Sequence, residues 1–281
     1  MPQETTRTHL YHAEATVLHG DLYHPLVQEI KPQTNVKLSE RGGYLSEHAE
    51  PYRLEGVISF KKAYTQVAGS RDPKDGHGWS TLSTSVIEEL NVLEVVTADR
   101  VVAQIAADHP LEGYVPNVHF LGTRFENLRI AGHPVEIDIH PDPSFLGEKP
   151  ENDGAYTRHA GLLDRLEQQF ERIRRSDNVP DEIVRRYSGV SSTSDGIETI
   201  ECSLVNHAKG PYPGRSFGHV IDVPGFGKIH LAVLRIEHSD WRNSVPKKTL
   251  FNLTMIELDM GCIGGGKSGV GNGILNGTSA P

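Results

Sequence analysis

A chain of 281 residues that is 37% hydrophobic and 23% charged carries enough apolar content to bury a core, which excludes a disordered chain. Lys and Arg number 28 against 37 Asp and Glu, a net charge of −9, and the one cluster of arginines (Arg172, Arg174, Arg175) is flanked by acidic residues. Nucleic acid and anionic membrane are therefore not expected partners, and two cysteines, Cys202 and Cys262, form neither a disulfide framework nor a zinc ribbon.

From about Leu10 to Phe145 the dominant period is two. Ala13, Ala15 and Val17 alternate with polar residues, as do Val118 and Phe120, Leu128 and Ile130, and Val135, Ile137 and Ile139. This spacing predicts half-buried strands. Arg41-Gly42-Gly43, Gly69–Pro73, Lys74-Asp75-Gly76 and Pro141-Asp142-Pro143 supply turns between them. Many short strands with turns between them predict a mainly β protein, an antiparallel β-sandwich or sandwich-like barrel.

A short two-helix insertion, about 155–188, interrupts the strands. Leu162, Leu163, Leu166, Phe170 and Ile173 recur at helical spacing, opposite Asp164, Glu167, Gln168, Glu171 and Arg175. Pro180 suits the first turn of a second helix with Ile183, Val184 and Tyr187 inward. Residues 151–190 read as an excursion from a single β-rich domain spanning 1–281. Strands resume at Ile197 and run to about Met260. Cys202 lies in the alternation Ile200, Cys202, Leu204, which favours a buried free thiol.

Two late strands change parity. Ile229, Leu231 and Val233 give way to Leu234 and Ile236, and Phe251, Leu253 and Met255 to Ile256, Leu258 and Met260. Such slips mark a bulge or a bend. Residues 261–281 are Gly-rich and read as a mobile tail or a closely packed loop.

The segment from Gly261 to Ser268, GCIGGGKS, matches the phosphate-loop pattern. That motif needs a helix after it, and Gly269-Val270-Gly271-Asn272-Gly273 is unfit to start one. Gly214-Arg215-Ser216-Phe217-Gly218 matches the nucleophile elbow of α/β hydrolases. The elbow requires a strand-to-helix turn, whereas this segment leads into a strand at His219–Val223.

Fifteen histidines are many for this length. The densest run is 133–140, HPVEIDIH. Strand geometry puts Glu136, Asp138 and His140 on one face, and with His133 they form a ligand set suited to a divalent metal, which His77 or His119 could complete. A strand with one wet face explains the same pattern. His9, His12, His19 and His24 read as surface or satisfied core residues. Trp79 and Trp241 read as a sugar-stacking surface or as core anchors. Asn252-Leu253-Thr254 and Asn276-Gly277-Thr278 match glycosylation sequons by chance in a chain without export. Residues 1–7 show no basic start followed by an apolar run, so the expected location is cytoplasmic, with non-classical export left open. No segment approaches a membrane-spanning helix.

Three stretches carry a family resemblance: residues 79–104, with WSTLSTSV, LNVL and VTADRVVAQ; residues 125–135, FENLRIAGHPV; and residues 221–231, IDVPGFGKIHL. They resemble the β-rich core of bacterial choice-of-anchor P surface proteins, with their Ser/Thr-rich strand, TAD-x-V-x-A strand, F-x-N-L-x-x-x-G-x-P-V segment and P-G-x-G turn. The whole chain also resembles uncharacterised proteins of soil bacteria. The resemblance implies a surface-type β module and carries no activity or site residue.

The sequence therefore points to a non-catalytic structural, assembly or surface-interaction module that self-associates through sheet edges and has no resident cofactor. A metal-dependent hydrolase-like enzyme built on His133, Glu136, Asp138 and His140, or a carbohydrate-binding module, are the alternative readings.

Overall fold

Alternating strands bury one face each, and here they do so by stacking two open antiparallel sheets. The computed structural model describes residues 9–23, 27–54, 56–71, 78–111, 115–141, 143–150, 154–240, 248–260 and 266–279, with backbone only for 143, 144 and 266–279. The main path of the eleven-stranded first sheet runs Ser191–Ser192, Glu198–Ser203, Gly227–Ser239, Lys248–Met260, Gly266–Ser279, His9–Val17, Thr34–Lys37. The ten-stranded second sheet runs His133–Pro134, Arg129–Ile130, Val96–His109, Trp79–Val92, Ile58–Phe60, Tyr52–Leu54. Lys62–Arg71 also pairs with Trp79–Val92 and carries Gly43–Ala49 on its far side. Glu136–Ile139 and Val205–Lys209 form a separate two-stranded ribbon. The expected mainly β sandwich with a helical excursion is what the chain adopts, and neither sheet closes into a barrel.

Packed sheets usually lie about 10 Å apart. Here Cα atoms of His9–Val17 and Gly266–Ser279 come within 8 Å of those of Trp79–Val92. Small side chains permit this approach. Ala13 and Ala15 on one sheet face Thr81, Ser83 and Ser85 on the other, with Ala103 and Ala107 beside them, all buried. Hydroxyls in such a seam need acceptors. Ser83 donates to the Glu14 carbonyl at 2.7 Å and Ser85 to the Thr16 carbonyl at 3.0 Å, so each crosses from one sheet to the other.

The Gly-rich C-terminus is neither tail nor loop over 266–279. It is a fourteen-residue strand pairing on one edge with Lys248–Met260 and on the other with His9–Val17 and His19–Leu22. Glycine hides strands from pattern reading because it contributes no alternation, but its backbone pairs like any other.

The expected parity slips both occur, at facing positions. Ala232 sits at φ +46. Before it, Gly227–Ser239 pairs with Val220–Val223; after it, with Glu198–Ser203. Ile229 and Leu231 point inward before the bend, Leu234 and Ile236 after it, and Val233 turns to the outer face. Ile256 takes over from Met255 in the neighbouring strand.

Helices α1 (Ala160–Arg174) and α2 (Asp181–Arg186) lie on this sandwich. The buried stripe of α1 is Leu162, Leu166, Gln169 and Ile173, with Phe170 only half-buried. Gln169 takes an inward position because its amide donates to the Ser203 carbonyl at 2.5 Å and accepts the Ser203 N–H at 3.2 Å. Cys202 is buried and free, with its thiol pushed up by burial.

The seam sets a test. Ser85→Ala should lower stability by about 1 kcal/mol, the net worth of one buried hydrogen bond. Ser85→Leu should cost about 1–3 kcal/mol or more through overpacking. Urea unfolding midpoints of the two variants give the answer; a Ser85→Leu protein as stable as the parent would mean that the sheets are not held this close.

Candidate functional site

The run from His133 to His140 folds as two short strands. Val135, Ile137 and Ile139 pack on the core, while Glu136, Asp138 and His140 face away, as period two requires. The structure brings Asp138 and His140 together, with Nε2 of His140 3.2 Å from Oδ1 of Asp138. It adds two residues the sequence did not single out. His207, in register with Asp138 across the ribbon, places Nδ1 3.3 Å from Oδ2, and Asn206 donates to that same oxygen at 3.2 Å. Burial would raise the Asp138 carboxyl, but the Asn206 hydrogen bond and the two imidazoles outweigh it and hold the group below the usual carboxylate range.

The remaining members stand apart. Glu136 is exposed opposite Lys209, His133 is exposed on its own two-residue strand, and His119 pairs with Asp108 at 3.4 Å. His140 and His207 address different oxygens of one carboxylate rather than a common point. Among the described residues no three His, Cys, Asp or Glu side chains are placed to hold a metal ion. His24, His77, Trp241, Cys262 and residues 261–265 of the phosphate-loop pattern lie outside the described residues.

Next to Asp138 the ribbon and α1 enclose a cleft of about 300 Å³ lined by His140, Phe145, Arg165, Gln168, Gln169, Arg172 and Asn206. Arg165, Gln168 and Arg172 recur three and four residues apart, so they form one stripe beside the buried stripe of α1. The Arg165 guanidinium carbon sits 6.0 Å from the Phe145 ring centre.

A second, larger cleft of about 410 Å³ opens on the outer face of the first sheet, lined by Arg186, Glu201, Val233, Arg235, Asn252, Thr254 and Glu257. Its charges are matched. Arg186 grips Glu257 with two hydrogen bonds of 2.8 and 2.7 Å and Glu201 with one of 2.5 Å; Arg235 lies 3.5 Å from Glu201 and 2.8 Å from Glu237. Burial would lower the Arg186 pKa, but Glu257 and Glu201 hold it above its ordinary value. Beneath it, the Tyr187 hydroxyl meets Nδ1 of His230 at 2.8 Å, and the His219 ring stands edge-on to Tyr187 at 4.4 Å. Burial first, then the charges of His230 and Arg186, push the His219 pKa well below its usual value.

The enzyme motifs find structural roles. Ser216 lies in strand Arg215–Phe217, with its hydroxyl 2.5 Å from that of Tyr212. Gly214, at φ +116, would drive a Cβ to 2.1 Å from the Asp222 carbonyl, so its glycine permits the close approach of backbone at the open end of the Arg215–Phe217 and Val220–Val223 pair. Gly266, Lys267 and Ser268 open the C-terminal strand rather than a helix. Trp79 is buried and stacked 4.9 Å from His9, which removes it as a sugar platform.

One strand is unlike the rest. Gly43–Ala49 is the edge of the second sheet, and its residues are exposed on both faces except half-buried Ala49. Among the described residues it pairs on one side only, with Lys62–Arg71. Tyr44 is 61% and Leu45 47% exposed. Gly42, at φ +81, begins the strand; a Cβ there would lie 2.7 Å from the Gly69 carbonyl. The neighbouring edge strand Thr34–Lys37 is blunted instead, since the Glu47 carboxylate accepts the Asn35 N–H at 2.8 Å.

Residues 9–237 match a family described as Domain of unknown function (DUF8256). Neither a curated protein nor a solved structure matches the chain. Among the described residues no helix is long and apolar enough to cross a membrane.

Buried His219 makes stability depend on pH. The native ring stays neutral where an unfolded histidine, with its ordinary value of 6.5, takes up a proton. The unfolded state then binds more protons, so stability is full above about 6.5 and falls as pH drops towards the depressed native value. The limiting slope for one group is about 1.4 kcal/mol per pH unit. His219→Phe keeps the edge-on contact with Tyr187 and removes the proton site. Urea midpoints followed from neutral pH to about pH 5 should fall more steeply for the parent than for this variant; parallel curves would show that His219 is not held neutral.

Proposed function

The chain belongs to the DUF8256 family, and we propose that it is a non-catalytic β-sandwich module whose work is assembly, pairing with a second copy through the edge strand Gly43–Ala49. The observation that carries this reading is the openness of that strand. Among the described residues its backbone is paired on one side only, and two large apolar side chains, Tyr44 and Leu45, are exposed. Edge strands are ordinarily shortened, charged or covered, and an open one is a template for strand addition.

The sequence of the strand suits self-pairing. An antiparallel pair has a two-fold axis, so each residue meets its mirror in the register. With the axis at Ser46, Tyr44 faces His48 of the second copy and Leu45 faces Glu47. Tyr–His contact of this kind already exists within the chain, where the His48 and Tyr64 rings lie 5.7 Å apart. The resemblance to choice-of-anchor P surface proteins supports the same class of role.

Size-exclusion chromatography with light scattering tests the proposal. The parent should show a concentration-dependent mass rising to two chains. Combining Tyr44→Lys with Leu45→Glu puts like charges opposite Glu47 and cations opposite His48, and should leave a folded monomer. A parent that is monomeric at every concentration, or a dimer that survives the double substitution, would overturn edge pairing.

A further inference from the structure

The two clefts differ in how their charges are answered. In the larger one, Arg186 and Arg235 are neutralised by Glu201, Glu257 and Glu237. In the smaller one, Arg165 and Arg172 line the wall, and among the described residues no carboxylate lines it and neither guanidinium forms an ion pair. The neighbouring arginines at the C-terminal end of the same helix, Arg174 and the capping Arg175, are both engaged with Glu171. Two guanidiniums that line one concavity without a carboxylate partner among the described residues are unusual on a chain of net charge −9.

We propose that this cleft binds a small ligand carrying a phosphate group, held between Arg165 and Arg172. Guanidinium forks match phosphate oxygens in pairs, and two of them suit a dianion better than one carboxylate. Helical spacing fixes both on the same face of α1, and Phe145 beneath Arg165 limits where that guanidinium can swing. Gln168 adds an amide to the rim, and Asp138 orients the His140 ring at the opposite wall. Asn206 is itself steadied by its bond to Asp138. The Asp138 carboxylate beside the site is thus already committed to His140, His207 and Asn206. A volume of about 300 Å³ is that of a small-molecule site. The ligand reading is independent of edge pairing, since strand Gly43–Ala49 contributes nothing to this cleft.

Isothermal titration at low ionic strength, with inorganic phosphate, phenyl phosphate and benzoate as separate probes, tests the site on the full chain. Saturable binding of either phosphate probe, weakened at least tenfold by Arg165→Gln and by Arg172→Gln but not by Arg41→Gln, is the expected result. Both arginines are at the surface of α1, and circular dichroism will confirm that the variants fold. Tighter binding of phenyl phosphate assigns an esterified phosphate, and tighter binding of inorganic phosphate a free one; both support the site. No saturable binding of phosphate at millimolar concentration, benzoate binding as tightly as phenyl phosphate, or equal loss in Arg41→Gln would overturn it.

Discussion

The fold depends on two sheets approaching more closely than large side chains allow. Ala13, Ala15, Ser83 and Ser85 keep the seam thin, and the backbone of the glycine-rich strand Gly266–Ser279 continues it within 8 Å, Cα to Cα, of Trp79–Val92 and Val96–His109. The cost of burying serine is met by turning each hydroxyl onto a carbonyl of the opposite sheet. A seam of Leu and Phe could slide through many registers of similar energy. Hydroxyls that must find particular carbonyls admit one, so the polar contacts fix how the sheets sit on each other.

Both described clefts lie outside that seam. The bend at Ala232 transfers Gly227–Ser239 from one neighbour to another and turns Val233 outwards, which opens the larger cleft under α2. The smaller cleft arises because Gln169 is tied to Ser203, which fixes the rotation of α1 and so aims Arg165 and Arg172 at the ribbon. In one cleft the helix brings its arginine to carboxylates on the sheet; in the other, among the described residues, it brings two arginines to no carboxylate. The first arrangement is a clamp that attaches the helix, and the second carries the proposed anion site.

Some local conformations left no trace in the sequence. Leu93 and Glu94 turn the hairpin between Trp79–Val92 and Val96–His109 at φ +51 and +58, a geometry ordinarily given to Asn and Gly. Thirteen paired positions along that hairpin outweigh the strain of two left-handed residues. Pattern reading missed Gln169 for a similar reason: Phe170 is the more apolar residue, but only Gln169 finds a backbone that satisfies it. His207 and Asn206 carry no motif. They matter because they fall across the ribbon from Asp138, and nothing in their own neighbourhood announces it.

What the sequence determined by itself follows from short-range periodicity. Alternation made the strands and aimed Glu136, Asp138 and His140 to one side. Helical spacing made the insertion, and parity slips marked the bend near Ala232. Missing helix signals disqualified the phosphate-loop and elbow patterns. What only the tertiary structure decided involves residues far apart in the chain. These are the placing of a featureless glycine strand between Lys248–Met260 and His9–Val17, the joining of Asp138 to His207, the gathering of Arg165, Arg172 and His140 around one cleft, and the edge at Gly43–Ala49, paired on one side only among the described residues. Side-chain periods report which face of an element is buried. They contain no record of which other element covers it, because that is settled by backbone pairing and packing across the whole fold.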